Sequence, residues 1–322
     1  MPTWGEILAD IQTEGNANNG QVDIDAMRDR YMAALHAHTG RSVIVYAVDM
    51  FGPNPNAQIN LQDMVGMMEV FKDLPGPDVD LILHSPGGQA EATDRLVRYM
   101  RSKFDNVRVF VPFAAMSAAT MWSMAADEIV MGKHSQLGPI DPQITLPNGI
   151  PMPAGALTEQ FREAQDECAK DPAKITGWLP TLQQYPPGLL NFCESAAELS
   201  KTLVAEWLER YMFAGRTNAA DLAAAAAEWL ADDKTHLSHS RAITREELRA
   251  YEINVTDLED PADPELQDLV LSVHHALMHT FSGTSVKIIE NHLGRRWVQH
   301  GGNLMVAQPI PMQPPLPAPP AP

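Results

Sequence analysis

The sequence predicts an α/β protein built on a parallel sheet, and a strand–helix–strand repeat carries that prediction. Residues 78–84 and 106–111 are short runs rich in β-branched residues and bounded by turn residues, which is typical of strands buried on both faces of a sheet. Between them, residues 90–103 carry apolar side chains at helical spacing. Together they form a βαβ unit, whose crossover is expected to be right-handed.

Small residues follow both of these predicted strands. Gly87 and Gly88 come directly after the first strand, and Ser117 follows the second. Open α/β sheets gather their active groups at the carboxyl ends of the strands. There a serine can attack a carbonyl while backbone N–H groups at a glycine turn and a helix N-terminus receive the oxyanion. The glycine pair alone is also common turn sequence, but its pairing with Ser117 favours catalysis.

Several separated motifs extend this pattern. They are residues 84–88 (HSPGG), 116–118 (MSA), 126–135 (ADEIVMGKHS) and 138–143 (GPIDPQ), with further similarity at 178–180, 183–185, 206–208 and 211–213. This set resembles the serine dehydrogenase proteinase family, whose members are similar to the Clp protease proteolytic subunit and to signal peptide peptidase A. A match at several separated motifs is more specific than one short pattern.

The resemblance implies a fold, an activity and a set of site residues. The fold is a ClpP/crotonase-like spiral of repeated βαβ units with helical additions at both ends, and the activity is that of a serine endopeptidase on peptides or unfolded proteins. Ser117 matches the nucleophile, and Gly88 and Ala118 match the residues whose N–H groups form the oxyanion hole, with Gly87 shaping the turn. Ala119 stands where relatives often have glycine.

The general base is the part that the sequence leaves open. Residues 181–187, the region that resembles the lysine-bearing segment of signal peptide peptidase A, contain no lysine. Asp141 occupies or adjoins the position of the Clp histidine and is expected to orient a base. Lys170 is a candidate base at a plausible sequence distance from Ser117, although a lysine that ends a predicted helix also suits the helix dipole. Further candidates are Lys174, Lys201, His84 and His134, or a group from a neighbouring subunit.

Composition excludes several other classes of function. A net charge of −18 over 322 residues argues against nucleic-acid binding, which needs a basic patch. Cys168 and Cys193 are the two cysteines and form neither a disulfide framework nor a Cys-x-x-Cys metal motif. His236 with His239, and His275 with His279, could hold a metal only if a carboxylate converged on them. Without a His-Glu-x-x-His pattern we expect no metal and no cofactor.

Targeting signals are also not found in the sequence. No run approaches the ~18 apolar residues of a membrane-spanning helix, and residues 1–6 lack the basic and apolar regions of a signal peptide. We therefore expect a cytoplasmic protein with no membrane span, although many members of the family look membrane-anchored.

The chain divides into four predicted parts. They are a helical lead at 1–40 with a helix at 23–38, a catalytic core at 41–215, a helical C-terminal appendage at 216–305, and a Pro-rich tail at 306–322 that is expected to be disordered. Within the core we expect helices at 61–72, 157–169 and 195–213 and a loop or hairpin at 146–155. The methionines of the helix at 61–72 are expected to pack in the core.

Two alternatives to a peptidase remain open from sequence. The fold could serve as a scaffold or peptide-binding module, because no base is assigned, or it could perform crotonase-like acyl-CoA chemistry, which shares the oxyanion architecture. The family resemblance implies a homo-oligomer whose serines face an enclosed space. With no ATPase motif in the sequence, any unfolding of substrates would come from a partner unfoldase or adaptor.

Overall fold

The structure, a computed structural model, describes residues 2–52, 54, 56–146 and 149–301. Its helices are α1 (Trp4–Ala17), α2 (Ile24–Thr39), α3 (Asp63–Phe71), α4 (Ala90–Lys103), α5 (Ala118–Met124), α6 (Ala154–Lys170), α7 (Ile175–Leu182), α8 (Leu189–Trp207), α9 (Ala219–Ala231), α10 (Asp233–His236), α11 (Arg245–Ala250) and α12 (Pro264–Phe281). Its strands are β1 (Ser42–Val48), β2 (Asp78–His84), β3 (Asn106–Val111), β4 (Ala114–Ala115), β5 (Glu128–Met131), β6 (Gln136–Leu137), β7 (Gln143–Thr145), β8 (Pro151–Pro153), β9 (Val255–Asp257), β10 (Ser285–Asn291) and β11 (Arg296–His300). A short 3-10 helix at Pro172–Lys174 precedes α7, and a π-helical turn at Leu208–Met212 follows α8.

A seven-stranded sheet in the order β11-β10-β1-β2-β3-β5-β9 forms the centre of the fold. Strands β1, β2, β3, β5 and β9 run parallel to one another. Strand β10 is antiparallel to both of its neighbours, β1 and β11. A small parallel sheet joins β4 and β6, and β7 with β8 forms an antiparallel hairpin. The predicted α/β class with a parallel sheet is therefore confirmed, and the hairpin falls where a loop or hairpin was expected.

Both faces of the central sheet are buried, as its continuous apolar strands predict. In β1, Ile44 and Tyr46 pack in a core cluster with α3, α4 and α5, whereas Val43 and Val45 pack on the opposite face with α2 and α12. The predicted strands at 78–84 and 106–111 and the helix at 90–103 have the bounds of β2, β3 and α4. In α3, however, Met68 is 59% exposed, which corrects its predicted place in the core.

The N-terminal part contains a helix that the sequence analysis did not predict. Helix α1 starts with a capping box in which Thr3 and Glu6 bond each other's backbone N–H groups. The predicted helix at 23–38 corresponds to α2, which Asp23 caps and Gly40 ends in the left-handed conformation at a φ of 68°. No helix among the described residues is long and apolar enough to cross a membrane.

The C-terminal part supplies strands as well as helices, which corrects the prediction of a helical appendage. Strand β9 extends the parallel sheet beside β5, and β10 pairs along the length of β1. The sequence of β10, SVKIIEN, does not indicate a buried strand, because it contains the polar residues Lys287, Glu290 and Asn291. All three are fully buried. Residues 302–322, which include the predicted Pro-rich tail, lie outside the described residues.

A buried ion pair connects β10 to the first residue of α3. Lys287 Nζ lies 2.5 Å from Asp63 Oδ1, and neither side chain is exposed. Burial lowers the pKa of Lys287 against the opposing charge of Asp63. The Lys287 ammonium also donates to the Gln58 carbonyl, while Asp63 accepts bonds from the Tyr46 hydroxyl and the Asn60 N–H. Because every polar atom finds a partner, the pair holds residues 58–60 in place.

Removing one member of this pair should be costly. We expect Lys287→Met to lower the free energy of unfolding by about 3–5 kcal/mol, because Asp63 is left buried without its countercharge. Urea unfolding measures the loss, and Lys201→Met is the control, since the Lys201–Glu228 pair at 3.1 Å is exposed and worth less than about 1 kcal/mol. A second variant carrying both Lys287→Met and Asp63→Leu should recover part of the loss; equal costs for Lys287→Met and Lys201→Met would contradict this account.

Two buried histidines meet on the α12 face of the sheet. The His84 and His274 rings lie 5.1 Å apart, and neither His84 nitrogen has a hydrogen-bond partner among the described residues. Burial lowers the pKa of His84 to about 4. Burial, followed by the neighbouring His84, lowers the pKa of His274 well below its usual value. Both rings are therefore neutral in the folded protein at pH 7.

This burial predicts a loss of stability in mild acid. Between the unfolded pKa of about 6.5 and the folded pKa, the unfolded chain binds a proton at His84 that the folded chain does not, so stability falls as the pH falls. We expect His84→Leu to flatten the dependence of the unfolding free energy on pH by up to ~1.4 kcal/mol per pH unit between pH 6.5 and 4. Urea unfolding across this range tests it; an unchanged slope in His84→Leu would show that His84 is not the group responsible.

Candidate active site

Ser117 sits at a sharp turn between β4 and α5. It precedes the first residue of α5 and has a φ of 53° and a ψ of −118°, a region that residues with a Cβ rarely adopt. The turn is held by the Met116 N–H, which donates to the Ser85 carbonyl at 2.9 Å, and by the Ala119 N–H, which donates to the Met116 carbonyl at 2.9 Å. A strained serine at a strand-to-helix turn is the arrangement of a nucleophile elbow. The Ser117 hydroxyl makes no hydrogen bond to a described residue.

The glycine turn after β2 packs directly against Ser117. A Cβ atom on Gly87, which has a φ of 105°, would lie 2.6 Å from the Met116 carbonyl oxygen and 2.8 Å from the Ser117 Cβ. A Cβ on Gly88 would lie 2.2 Å from the Ile59 carbonyl oxygen. Residue 59 pairs with this turn, since its N–H donates to the Gly87 carbonyl at 2.7 Å and its carbonyl accepts from the Gln89 N–H. Glycine is therefore required at both positions.

Two N–H groups beside Ser117 remain available for a ligand. The Gly87 N–H is used, because it donates to the Ser85 hydroxyl at 3.1 Å. Within the described parts of the chain, by contrast, neither the Gly88 N–H nor the Ala118 N–H donates to an acceptor. Ala118 opens α5, where the first N–H groups have no partner inside the helix and the helix dipole is positive. These are the two groups that the family resemblance assigns to the oxyanion hole.

Asp141 follows β6 and is buried, with 4% of the residue exposed. Its Oδ2 accepts a bond from the Gln143 amide at 2.7 Å, and its Oδ1 lies 2.8 Å from His239 Nδ1. A second carboxyl group is close, because burial and then the negative charge of Asp141 raise the pKa of Asp233. Asp141 therefore orients a histidine, and that histidine is one the sequence analysis did not consider as a base.

The lysine candidates lie away from this carboxylate. The N–H of Ala154, the first residue of α6, donates to the Pro142 carbonyl at 2.9 Å, so α6 begins next to Asp141. Lys170 ends the same helix, and the rise per residue of an α-helix puts it about 24 Å from Ala154. Its side chain is exposed. The structure therefore places Lys170 away from Asp141, the carboxylate that was expected to orient the base.

The other candidate bases are also engaged elsewhere. Lys174 pairs with Glu167 at 3.5 Å and Lys201 with Glu228 at 3.1 Å, in each case at the surface. His84 is buried against α12, on the face of the sheet opposite α5, and His134 is exposed.

The two histidine pairs do not form metal sites in the described part of the chain. His236 bonds the Trp229 carbonyl and Arg241, and His279 bonds the Trp4 carbonyl at 3.0 Å. Across residues 2–52, 54, 56–146 and 149–301, no group of three or more His, Cys, Asp or Glu side chains is placed to hold a metal ion.

Comparisons with known proteins match part of this chain to a protein family. Residues 47–177 match the model of a family described as ClpP-like SDH-type serine proteinases. This segment is therefore similar to the proteins of that family. It contains Ser117, the glycine turn, Asp141 and Lys170, whereas His239 lies beyond it.

Relatives were found among both curated proteins and solved structures. Two uncharacterised proteins of Methanocaldococcus jannaschii are similar: one is 32% identical over 175 residues, covering 51% of this chain and 59% of the relative, and the other is 40% identical over 90 residues, covering 28% of each. This chain thus spans little more than half of the first relative. Two mutant structures of the 1510-N membrane-bound stomatin-specific protease align with 20% and 18% identity and TM-scores of 0.34 and 0.38, covering 57% and 66% of this chain and 62% and 79% of those chains.

The close approach of Gly87 to Ser117 yields a testable prediction. We expect Gly87→Ala to destabilise the fold and displace Ser117, because the new methyl group would overlap the Met116 carbonyl oxygen. Gly76→Ala is a matched control: its φ is 75° and a Cβ there has no neighbour within 4 Å, so it incurs backbone strain of about 1–2 kcal/mol without a clash. Urea unfolding and labelling by a fluorophosphonate compare the variants; equal losses in both would refute a specific contact.

Proposed function

We propose that this chain is a serine endopeptidase that cleaves peptides or unfolded proteins through an acyl-enzyme at Ser117. The observation that carries the proposal is the strained backbone of Ser117, held at a φ of 53° against a glycine turn with no space for a side chain. Such strain is retained where function needs the side chain presented in that orientation. The match of residues 47–177 to the model of a serine proteinase family supports the same chemistry.

The proposed reaction is acyl transfer. Ser117 Oγ attacks the carbonyl carbon of a peptide bond, and the N–H groups of Gly88 and Ala118 stabilise the oxyanion that develops. Gly87 contributes by shape rather than by hydrogen bonding, since its own N–H is already donated to the Ser85 hydroxyl. Water then releases the acyl group from Ser117.

We further propose that the protein acts as a homo-oligomer. Several large apolar side chains are exposed, among them Val65 and Met68 on α3, and Leu179 and Phe192 on α7 and α8. Exposed apolar side chains of this size often mark contacts between proteins. A substrate-delivering unfoldase or adaptor and a cytoplasmic location remain predictions from the sequence.

Ser117 variants test the peptidase proposal. We expect Ser117→Ala to abolish both casein cleavage and fluorophosphonate labelling while the oligomer size measured on the same samples stays unchanged. Ser117→Gly should be equally inactive but more stable than Ser117→Ala by about 1 kcal/mol, because glycine adopts the positive φ without strain.

Other outcomes would favour the alternatives. Intact assembly with no cleavage and no labelling in the wild-type protein would favour a non-hydrolytic scaffold or peptide-binding module. An acyl-CoA-directed activity that survives in Ser117→Ala would favour crotonase-like chemistry, which needs the oxyanion hole but not the serine.

A further inference from the structure

We propose that His239 is the general base of this site and that Asp141 positions it, so that Ser117, His239 and Asp141 act as a triad. The inference rests on the proposed peptidase function and adds a catalytic residue from outside the segment that matches the family. The positions of Asp141 and His239 and the free nitrogen of the His239 ring support it.

Asp141 lies on the same side of the fold as Ser117. Strands β4 and β6 are parallel neighbours, with Ala115 opposite Leu137, and Ser117 and Asp141 follow the carboxyl ends of these two strands. The segments touch beyond the strands, because a Cβ on Gly138 would lie 3.5 Å from the Met116 Cα and closer still to the Met116 side chain. Met116 directly precedes Ser117, so the chain that leads to Asp141 runs beside the serine.

A backbone bridge beside β6 brings His239 to the same end of these strands. On the other side of β6, Leu137 forms an antiparallel bridge with Ile243, with N–H to carbonyl distances of 3.2 and 2.9 Å in the two directions. An antiparallel pairing continued from this bridge sets residue 239 opposite residue 141. The bond of 2.8 Å between His239 Nδ1 and Asp141 Oδ1 shows that the two segments stay together to that point.

The segment that carries His239 is braced. Arg241 bonds His236 Nδ1 at 2.8 Å and also pairs with Glu247 of α11, and the other nitrogen of the His236 ring bonds the Trp229 carbonyl at 2.8 Å. These contacts fix both sides of the turn, so His239 is held by more than its bond to Asp141.

The contact with Asp141 also determines which nitrogen of the His239 ring can accept a proton. When Nδ1 donates to Asp141 Oδ1, the neutral ring is the tautomer whose Nε2 has a free lone pair. Nε2 has no partner among the described residues, and the His239 side chain is 26% exposed against 5% for Asp141. One nitrogen of this histidine is thus fixed on a buried carboxylate while the other is open, as in the histidine of a Ser-His-Asp triad.

The proton follows a closed path in the proposed mechanism. As Ser117 Oγ bonds to the carbonyl carbon, its proton moves to His239 Nε2, and the electron pair of the C=O bond moves to the oxygen held by Gly88 and Ala118. When the C–N bond breaks, the imidazolium returns that proton to the leaving amine. Water next attacks the ester and gives its proton to Nε2, and the Ser117 hydroxyl regains it as the acid product leaves.

The test compares His239→Ala with a matched control. His38 Nε2 lies 2.9 Å from Asp263, with its side chain 23% exposed, so His38→Ala removes a similar His–Asp pair elsewhere on the protein. We expect His239→Ala to lower kcat for a peptide ester and the rate of fluorophosphonate labelling of Ser117 by about 10²–10⁴-fold. Added imidazole should restore part of both rates, and His38→Ala should retain the wild-type rates.

Asp141→Asn separates positioning from structure. Because asparagine can hold the ring in the wrong tautomer, we expect kcat to fall on the order of 10⁴-fold with little change in KM or in the urea midpoint. Imidazole should not rescue this variant, since its histidine is still in place.

Three results would overturn the inference, and they are distinguishable. If His239→Ala keeps the wild-type labelling rate and kcat while Ser117→Ala is inactive, the peptidase stands and another group is the base. If the wild-type protein is not labelled and Ser117→Ala has the same activity as wild type, the peptidase proposal fails and the triad fails with it. An inactive His239→Ala that imidazole does not rescue and that has lost its urea transition would assign a structural role to His239.

Discussion

The contact between the glycine turn and the backbone around Ser117 is the constraint on which the rest of the site depends. Gly87 has no space for a Cβ on the side of Met116 and Ser117, and Gly88 has none on the side of Ile59. Three separate segments of the chain thus meet at backbone distance, and the unusual φ of Ser117 is a consequence of that meeting. Because the positions are set by main-chain contacts, the available N–H groups are oriented before any ligand arrives, which is what electrostatic stabilisation of an oxyanion requires.

This arrangement in turn depends on a strand from the far end of the chain. Residue 59 is held against the glycine turn by its own backbone bonds, and the residues on either side of it are fixed by Lys287 and Asp63. Lys287 belongs to β10, which lies next to β1 in the sheet. A charged pair in a dry interior contributes little net stability but is costly to disrupt. Its effect here is to make the geometry of the oxyanion turn sensitive to whether the C-terminal strands are in place.

The parts of the structure that could be predicted from sequence are those with local signals. The boundaries of β2, α4 and β3 follow from hydrophobic periodicity and turn residues, and the serine and glycine motifs are local in the chain. Strand β10 could not be recognised, since its buried Lys287 and Glu290 resemble surface residues until their partners, Asp63 and Arg28, are known. The helix α1 had a capping signal at Thr3 and Glu6 that its polar neighbours obscured.

His239 illustrates the remaining limit, because its role is defined by a partner 98 residues away in sequence. Neither its spacing from His236 nor its neighbours distinguish it from a surface histidine. What gives it a role is the bridge between Leu137 and Ile243, which brings a loop from the C-terminal half alongside the segment that ends in Asp141. Ser117 and Asp141 thus lie within the segment that matches the family model, whereas the proposed proton acceptor comes from a loop outside that segment.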